Sequence, residues 1–313
     1  MGVWSTGLYS GDFALDLRSA IGAVTRLPFN TDQLIEALCQ LEPAAAYHPD
    51  NEDHTTFWLV LSDQFAKRGL DAPRTRDRAL AIIDNGEDLA MLKKLGMDDP
   101  SLDKRRKLLQ ILRDRITNPP PAKPRATLKK PQPYLMEVGD VFVYPTDKGK
   151  SINPYVSPGR DRSTGPLAWN QDGWNLFVVI DRGRAFDFLT WYRPLVLASP
   201  APEISGLRYK ENDALWIFRF GGTCSNSHFQ RMRLQKIDHL SIDQIKLKNI
   251  FPDMRPSHSQ AIGDISIANR LSTTRPASLA PPNTPPNQMK GRAATLVGIH
   301  QILASETPPL SSP

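Results

Sequence analysis

Apolar residues recur at helical spacing through the first hundred positions of the chain. Between residues 12 and 27 they stand three and four apart, at Phe13, Ala14, Leu17, Ile21 and Val24, the stripe of a helix with one buried face. Pro28 predicts the end of that helix. The same period returns in residues 32–41, 50–69, 74–84, 87–95 and 100–116. We therefore expect an all-α helical bundle over residues 1–117.

Residues 118–133 interrupt this pattern. Six prolines stand there among lysines and arginines: Pro119, Pro120, Pro121, Pro124, Pro131 and Pro133. Such a composition favours an extended, solvated polyproline II conformation. We interpret this segment as a basic, Pro-rich linker between two domains.

The pattern changes to short β-rich runs after residue 134. Apolar and aromatic residues dominate five short runs, at residues 140–144, 174–180, 185–191, 195–198 and 214–218. Two other segments have the composition of turns, residues 145–149 and 181–184. Short strands at this spacing predict a small barrel or sandwich over residues 134–271. Residues 225–234 and 262–271 are expected to form accessory helices. The expected fold class is α+β.

Residues 272–313 carry eight prolines and few aromatic residues. This composition predicts a disordered tail. Residues 294–304 are an exception, because Leu296, Val297, Ile299, Ile302 and Leu303 are apolar, and we expect a docking helix there.

Composition and charge narrow the class of protein. No run approaches the ~20 apolar residues of a membrane-spanning helix, and charged residues interrupt the only N-terminal stretch that could be a secretory signal. Two distant cysteines, Cys39 and Cys224, are typical of a reducing compartment, so we expect a cytoplasmic protein. The net charge of +6 divides into −7 over residues 1–100, +8 over 101–133 and +5 over 134–313.

The first sixteen residues resemble the start of the bacterial domain-of-unknown-function family 4259, which opens with Met-Gly-Thr-Trp-Gly. The chain departs from that pattern at Val3, Ser5 and Gly11. The matching positions are Gly2, Trp4, Gly7, Tyr9, Asp12, Ala14 and Asp16. The resemblance implies a bacterial protein, covers the helical domain at most, and brings no established activity.

A second resemblance lies at residues 138–145. Gly139, Asp140, Val141 and Phe142, two further apolar residues and Pro145 are similar to the opening strand of a polymorphic-toxin immunity-protein family. The resemblance implies a β-rich module that binds and neutralises a protein toxin.

Aromatic residues and arginines in the β-rich half suggest a protein-binding surface. Four of the six tryptophans lie there, and partly exposed Trp, Tyr and Arg side chains are the usual anchors of interfaces. The candidate partner-binding residues are Trp191, Tyr192, Arg193, Arg182 and Arg184. The expected partner is a toxin-like or defence-related protein.

The basic segment supports an alternative function, nucleic-acid binding. Lysines and arginines suit phosphate contacts and give salt-sensitive affinity, but no aromatic residues for base stacking interleave here. A solvated helix face followed by a charged linker explains the same residues. The candidate contacts are Lys104, Arg105, Arg106, Lys107, Lys129 and Lys130.

Two residue groups raise the question of chemistry. Cys224 and His228 are four apart, so on a helix a thiol nucleophile and a histidine base would share a face; a buried structural cysteine is the other interpretation. His48, Asp50, Asp53 and His54 have the types of metal ligands, although a helix start explains the aspartates. We predict no catalytic residue, no metal and no cofactor, and favour a protein that is not an enzyme.

Overall fold

The computed structural model describes residues 6–118, 121, 125–153, 160–161, 165–166, 168–211, 213–219, 221–251, 267–271, 279–280 and 294–304. The chain forms two compact units, residues 1–131 (the helical unit) and residues 132–313 (the sheet unit). Helices dominate the first unit and an unclosed sheet dominates the second. The mixed α+β class predicted from the sequence is confirmed.

The helical unit is arranged around its fourth helix. Its helices are α1 (Asp12–Val24), α2 (Thr31–Leu41), α3 (Pro43–Tyr47), α4 (His54–Lys67), α5 (Pro73–Asp84), α6 (Glu87–Lys94) and α7 (Asp99–Thr117). Nearly every residue of α4 is buried, and α4 contacts α1, α3, α5, α6 and α7. A helix that is buried on all sides lies at the centre of its unit.

Local signals set the helix boundaries. Asn30 caps α2, and Gln33 returns the hydrogen bond in a capping box. Asp98 caps α7 by accepting from Ser101 N. Between α2 and α4, residues 43–47 form the short helix α3, because proline is tolerated in the first turn of a helix.

Part of the predicted linker is attached to the helical unit. Leu128 N donates to Arg26 O at 2.8 Å, and the Arg125 guanidinium donates to Phe29 O. These described residues are therefore held by backbone acceptors.

The sheet unit contains one large sheet. Its strands are β1 (Asp140–Asp147), β2 (Lys150–Ser151), β5 (Gly173–Ala185), β6 (Leu189–Leu197), β7 (Leu215–Phe218), β8 (Gly222–Thr223), β9 (Gln235–His239), β10 (Leu279–Ala280) and β11 (Ala294–Gly298). The order is β10-β11-β7-β6-β5-β1-β2, with β8 paired to β6 and β9 to β1. All pairs are antiparallel except β10 with β11. Among the described strands no pairing joins β10 to β2, so the sheet is not closed.

Smaller elements complete this unit. β3 (Arg160–Asp161) and β4 (Gly165–Pro166) form a separate two-stranded ladder. The helices are α8 (Asn226–Arg231), α9 (Gln244–Ile250) and α10 (Ile267–Arg270). Within the residues that the structure describes, no helix is long and apolar enough to cross a membrane.

Both faces of the sheet carry an apolar core. Val141, Val143 and Trp216 belong to one core, which also includes Phe251 after α9. Phe142 and Tyr144, which alternate with them along β1, belong to the other. Alternation along a strand sends neighbouring side chains to opposite faces, so even residues pointing away from the first core are buried here.

Two expectations about this unit were wrong. Residues 181–184 form no turn, because β5 runs to Ala185 and the turn lies at residues 186–188. Residues 294–304 form no docking helix: β11 pairs with β7, and the 3-10 helix Ile299–Gln301 follows it. Val297, Ile299 and Ile302 are buried, so this segment, the expected exception to the disordered tail, belongs to the core. Of the helix predicted at 262–271, residues 267–271 lie among the described residues, and Ile267–Arg270 are helical.

Candidate partner-binding site on the β5–β6 hairpin

The candidate partner-binding residues lie on the long hairpin of β5 and β6. Phe186 and Asp187 in its turn adopt positive φ angles of 51° and 62°, a conformation that bulky side chains rarely take. The inner half of β5 is buried, whereas residues 181–184 are partly exposed. The outer half of the hairpin is therefore the part that a partner can contact.

Trp191 is held against a glycine on the neighbouring strand. Gly183 lies directly across from it, and a Cβ atom on Gly183 would come within 2.6 Å of Trp191 Cζ2. Gly221, which directly precedes β8, lies near the same indole, and a Cβ atom on Gly221 would be 3.5 Å from Trp191 Cε3. Trp191 stays partly exposed, so a large aromatic surface is fixed in place without being removed from solvent.

Arg182 and Arg184 are fixed by Tyr134. Their guanidinium carbons lie 4.0 and 4.2 Å from the centre of the Tyr134 ring, within the range of cation–π attraction. Arg182 also donates to Met136 O at 3.1 Å and pairs with Glu137. Both arginines thus bind the segment that precedes β1, and a quarter of the Arg182 side chain remains exposed.

Tyr192 and Arg193 do not reach the surface. Tyr192 is fully buried, and its hydroxyl accepts a hydrogen bond from Leu135 N at 2.7 Å. Arg193 is 2% exposed, and its guanidinium carbon lies 5.2 Å from the centre of the Phe218 ring. The proposed contact surface must therefore exclude both residues, because both faces of β6 are covered.

The Gly139–Asp140 pair, which carried the resemblance to immunity proteins, has a local structural role. Gly139 has φ +93°, and a Cβ there would lie 2.2 Å from Leu240 O. Asp140 accepts from Glu137 N and pairs with Lys236 and His239. The two residues start β1 and attach β9 to it.

The basic candidates fall into two groups. Lys104, Arg106, Lys107, Lys129 and Lys130 are exposed, and Arg106 pairs with Asp103. Arg105 is 4% exposed and donates from Nε and Nη2 to Asp88 at 2.9 and 3.1 Å. A phosphate cannot contact the Arg105 guanidinium in this arrangement.

Cys224 and His228 do not share a helix. Cys224 precedes Ser225, the N-cap of α8. Burial raises the pKa of the Cys224 thiol to about 12, and burial lowers the pKa of His228. A nucleophilic cysteine requires a thiolate near neutral pH, so the structure favours the structural interpretation of Cys224.

Both ring nitrogens of His54 form hydrogen bonds. Nδ1 donates to Ala45 O at 2.7 Å, and Nε2 accepts from Arg78 Nη2 at 2.9 Å. These neighbours assign the neutral Nδ1–H tautomer. His48 is exposed at the end of α3. No group of three or more metal-ligating side chains occurs in the described part of the chain.

The helical unit also holds a polar cluster that the sequence did not indicate. Asp63 is fully buried and accepts from Lys67 at 2.6 Å, and also from Tyr9 and Arg115. These residues line a cavity of about 180 Å³. They come from the N-terminal segment, α4 and α7, so no local sequence pattern predicts this cluster.

The geometry of the hairpin is the ground for a functional proposal. No protein-family model, curated protein or solved structure matches this chain.

Proposed function

We propose that this chain is a non-enzymatic protein-binding protein of the immunity or antitoxin kind. It binds a toxin-like or defence-related protein through the outer half of the β5–β6 hairpin, with Trp191, Arg182 and Arg184 as contacts. The proposal includes a cytoplasmic location in a bacterium, in keeping with two free, buried cysteines. It also includes a helical bundle followed by a β-rich module, in which the described strands form an open sheet and not a closed barrel.

The observation that carries this proposal is the fixed, partly exposed indole of Trp191 over Gly183. Tryptophan and arginine are the residues most often found at binding hot spots. A side chain that is already ordered loses little conformational entropy on association. Arg182 and Arg184, ordered by Tyr134, have the same advantage.

The test is affinity capture of the tagged full chain from its own host, with the bound material identified by mass spectrometry. Wild type is compared with Trp191→Ala and with the matched control Trp169→Ala. Trp169 is also partly exposed, but its indole donates to Asn153 O outside the hairpin. The proposal expects a stoichiometric protein partner that Trp191→Ala loses and Trp169→Ala retains. Equal recovery by both variants contradicts it.

Nucleic-acid binding remains the second candidate, because five of its six proposed contacts are exposed. Affinity for a labelled duplex should then fall steeply with salt, and changing Lys104 and Lys107 to Gln should flatten that slope. Lys150→Gln, an exposed lysine on β2, is the control. Affinity that does not depend on salt excludes this candidate.

A further inference from the structure

A cavity in the helical unit is partly open to solvent and combines two cations with an apolar wall. It has a volume of about 180 Å³, and the N-terminal segment, α4 and α7 line it. Its apolar wall is formed by Leu8, Leu108, Ile111 and Leu112. Ile111 is 60% exposed, so the cavity reaches the surface beside this residue. An apolar cavity of about 150 Å³ can hold a benzene molecule, so a body of that size has room here.

Asp63 holds the two cations of this cavity side by side. It is fully buried, its Oδ2 atom accepts from Lys67 Nζ at 2.6 Å, and its Oδ1 atom accepts from Arg115 Nη1. The side chains of Lys67 and Arg115 are still 44% and 39% exposed, and both line the cavity. Because two cations share one carboxylate, the described lining carries one positive charge in excess. An anion that enters the cavity can balance this charge.

Tyr9 fixes this arrangement without contributing a charge. Its hydroxyl donates to Asp63 and accepts from Gln64 Nε2, and the Lys67 ammonium lies 5.1 Å from the centre of its ring. Burial, followed by the hydrogen bond to Asp63, raises the pKa of Tyr9, so the hydroxyl stays neutral at physiological pH. Tyr9 therefore orients the carboxylate of Asp63, and the excess positive charge remains on Lys67 and Arg115.

Arg115 has the donors that a carboxylate needs. It binds Asp63 through Nη1, and its Nε and Nη2 atoms form no hydrogen bond with a described residue. Arg105 holds the two oxygens of Asp88 with these same two atoms, which is the paired geometry of carboxylate recognition. Arg105 is 4% exposed, whereas the Arg115 side chain is accessible to a ligand. A carboxylate would neutralise the excess positive charge of the lining, whereas a doubly charged phosphate would reverse it.

We propose that this cavity binds the ionised form of a small carboxylic acid whose apolar body has the size of a benzene ring. The two oxygens of the ligand accept from Arg115 Nε and Nη2, and its charge pairs with Lys67. The apolar body packs against Ile111 and Leu112. This site lies within the helical unit and does not depend on the Trp191 surface assigned above.

The test titrates the full-length protein with benzoate and hexanoate at neutral pH and constant ionic strength. Two controls are titrated in parallel: benzyl alcohol, which has the size of benzoate without its charge, and inorganic phosphate, which has charge without an apolar body. Binding is followed by saturation-transfer nuclear magnetic resonance and by the midpoint of thermal unfolding. At least one carboxylate should bind in a saturable way and raise the midpoint. Benzyl alcohol should bind at least about tenfold more weakly, and phosphate should not displace the carboxylate.

Two variants test the residues of the site. Lys67→Gln removes the excess charge and leaves Arg115 paired with Asp63, so it should weaken carboxylate binding at least about tenfold. Its control is Lys94→Gln, at an exposed lysine of α6, which should leave binding unchanged. Ile111→Glu places a negative charge on the apolar wall and should abolish binding. Its control is Leu95→Glu, at an apolar residue that is 42% exposed.

Three outcomes overturn the proposal. Neither carboxylate binds in a saturable way, benzyl alcohol or phosphate binds as tightly as the carboxylates, or one of the two variants folds and keeps the wild-type affinity. Circular dichroism shows whether each variant folds. If Lys67→Gln does not fold, Ile111→Glu decides, because Ile111 is already exposed to solvent.

Discussion

The indole of Trp191 occupies the space that a side chain on Gly183 would need. The two residues face each other across the β5–β6 pair, and a Cβ on Gly183 would lie 2.6 Å from the ring. Glycine in a strand weakens it unless another group uses the space. In the exposed half of the hairpin, the Trp191 indole fills the space over Gly183.

Gly183→Ala should displace Trp191 and destabilise the sheet unit by about 1–3 kcal/mol, the usual cost of overpacking. The displacement should change the tryptophan emission, and the difference should vanish in a Trp191→Phe background. The control is Gly22→Ala in α1, where the nearest contact of an added Cβ is 3.8 Å away. That change should stabilise the helical unit by about 0.5–1 kcal/mol. Unchanged emission in Gly183→Ala contradicts the packing described.

The Arg105–Asp88 pair should be the most sensitive ion pair of the helical unit. Asp88→Asn leaves the Arg105 charge buried without a counter-ion, which costs about 3–5 kcal/mol. Asp84→Asn removes the exposed partner of Arg113 and should cost less than about 1 kcal/mol. Urea unfolding followed by circular dichroism measures both. Similar losses for the two variants would show that the burial of Asp88 has no energetic weight.

His54 should make stability fall in acid. Burial, the largest effect, lowers its pKa in the folded protein below the ordinary value of 6.5, and the Arg78 charge acts in the same direction. The unfolded chain therefore binds the proton more readily, so stability is present above pH 6.5 and is lost as pH falls below that value. His54→Gln should flatten this part of the stability–pH curve, and the remaining slope includes the buried His228. An unchanged curve in His54→Gln contradicts the prediction.

Cys224 should react slowly with alkylating reagents. Its pKa of about 12 leaves almost no thiolate at pH 7, so iodoacetamide should modify the folded Cys39→Ala variant at least about tenfold more slowly than free cysteine. The same variant in concentrated urea should react like an ordinary thiol. Rapid modification of the folded protein would restore the interpretation of Cys224 and His228 as a nucleophile and its base.

Regular periodicity made the helical unit predictable. The stripe from Phe13 to Val24 lies on a helix as expected, because an amphipathic helix records its buried face in its own sequence. Residues 294–304 were assigned to the wrong element, because a short apolar run fits a helix and a strand equally well. The free edge of β7, about eighty residues earlier, decides that β11 forms.

Within the candidate sites, the sequence identified residue types and the tertiary structure decided their exposure. Trp191, Arg182 and Arg184 are partly exposed as a binding surface requires. Tyr192 and Arg193 are buried, because elements distant in the sequence cover both faces of β6. Arg105 forms a buried ion pair with Asp88 on α6, so its guanidinium is not exposed with the other basic residues.

The sequence by itself determined the amphipathic helices of the first unit, the change from helical to β-rich structure after the proline-rich segment, and the positions of the charges. These depend on local spacing and local backbone preference. Only the tertiary structure decided which arginine has a counter-ion, which aromatic ring reaches solvent and where the last strand pairs. Such properties depend on contacts between residues far apart in the chain, and a linear pattern does not record them.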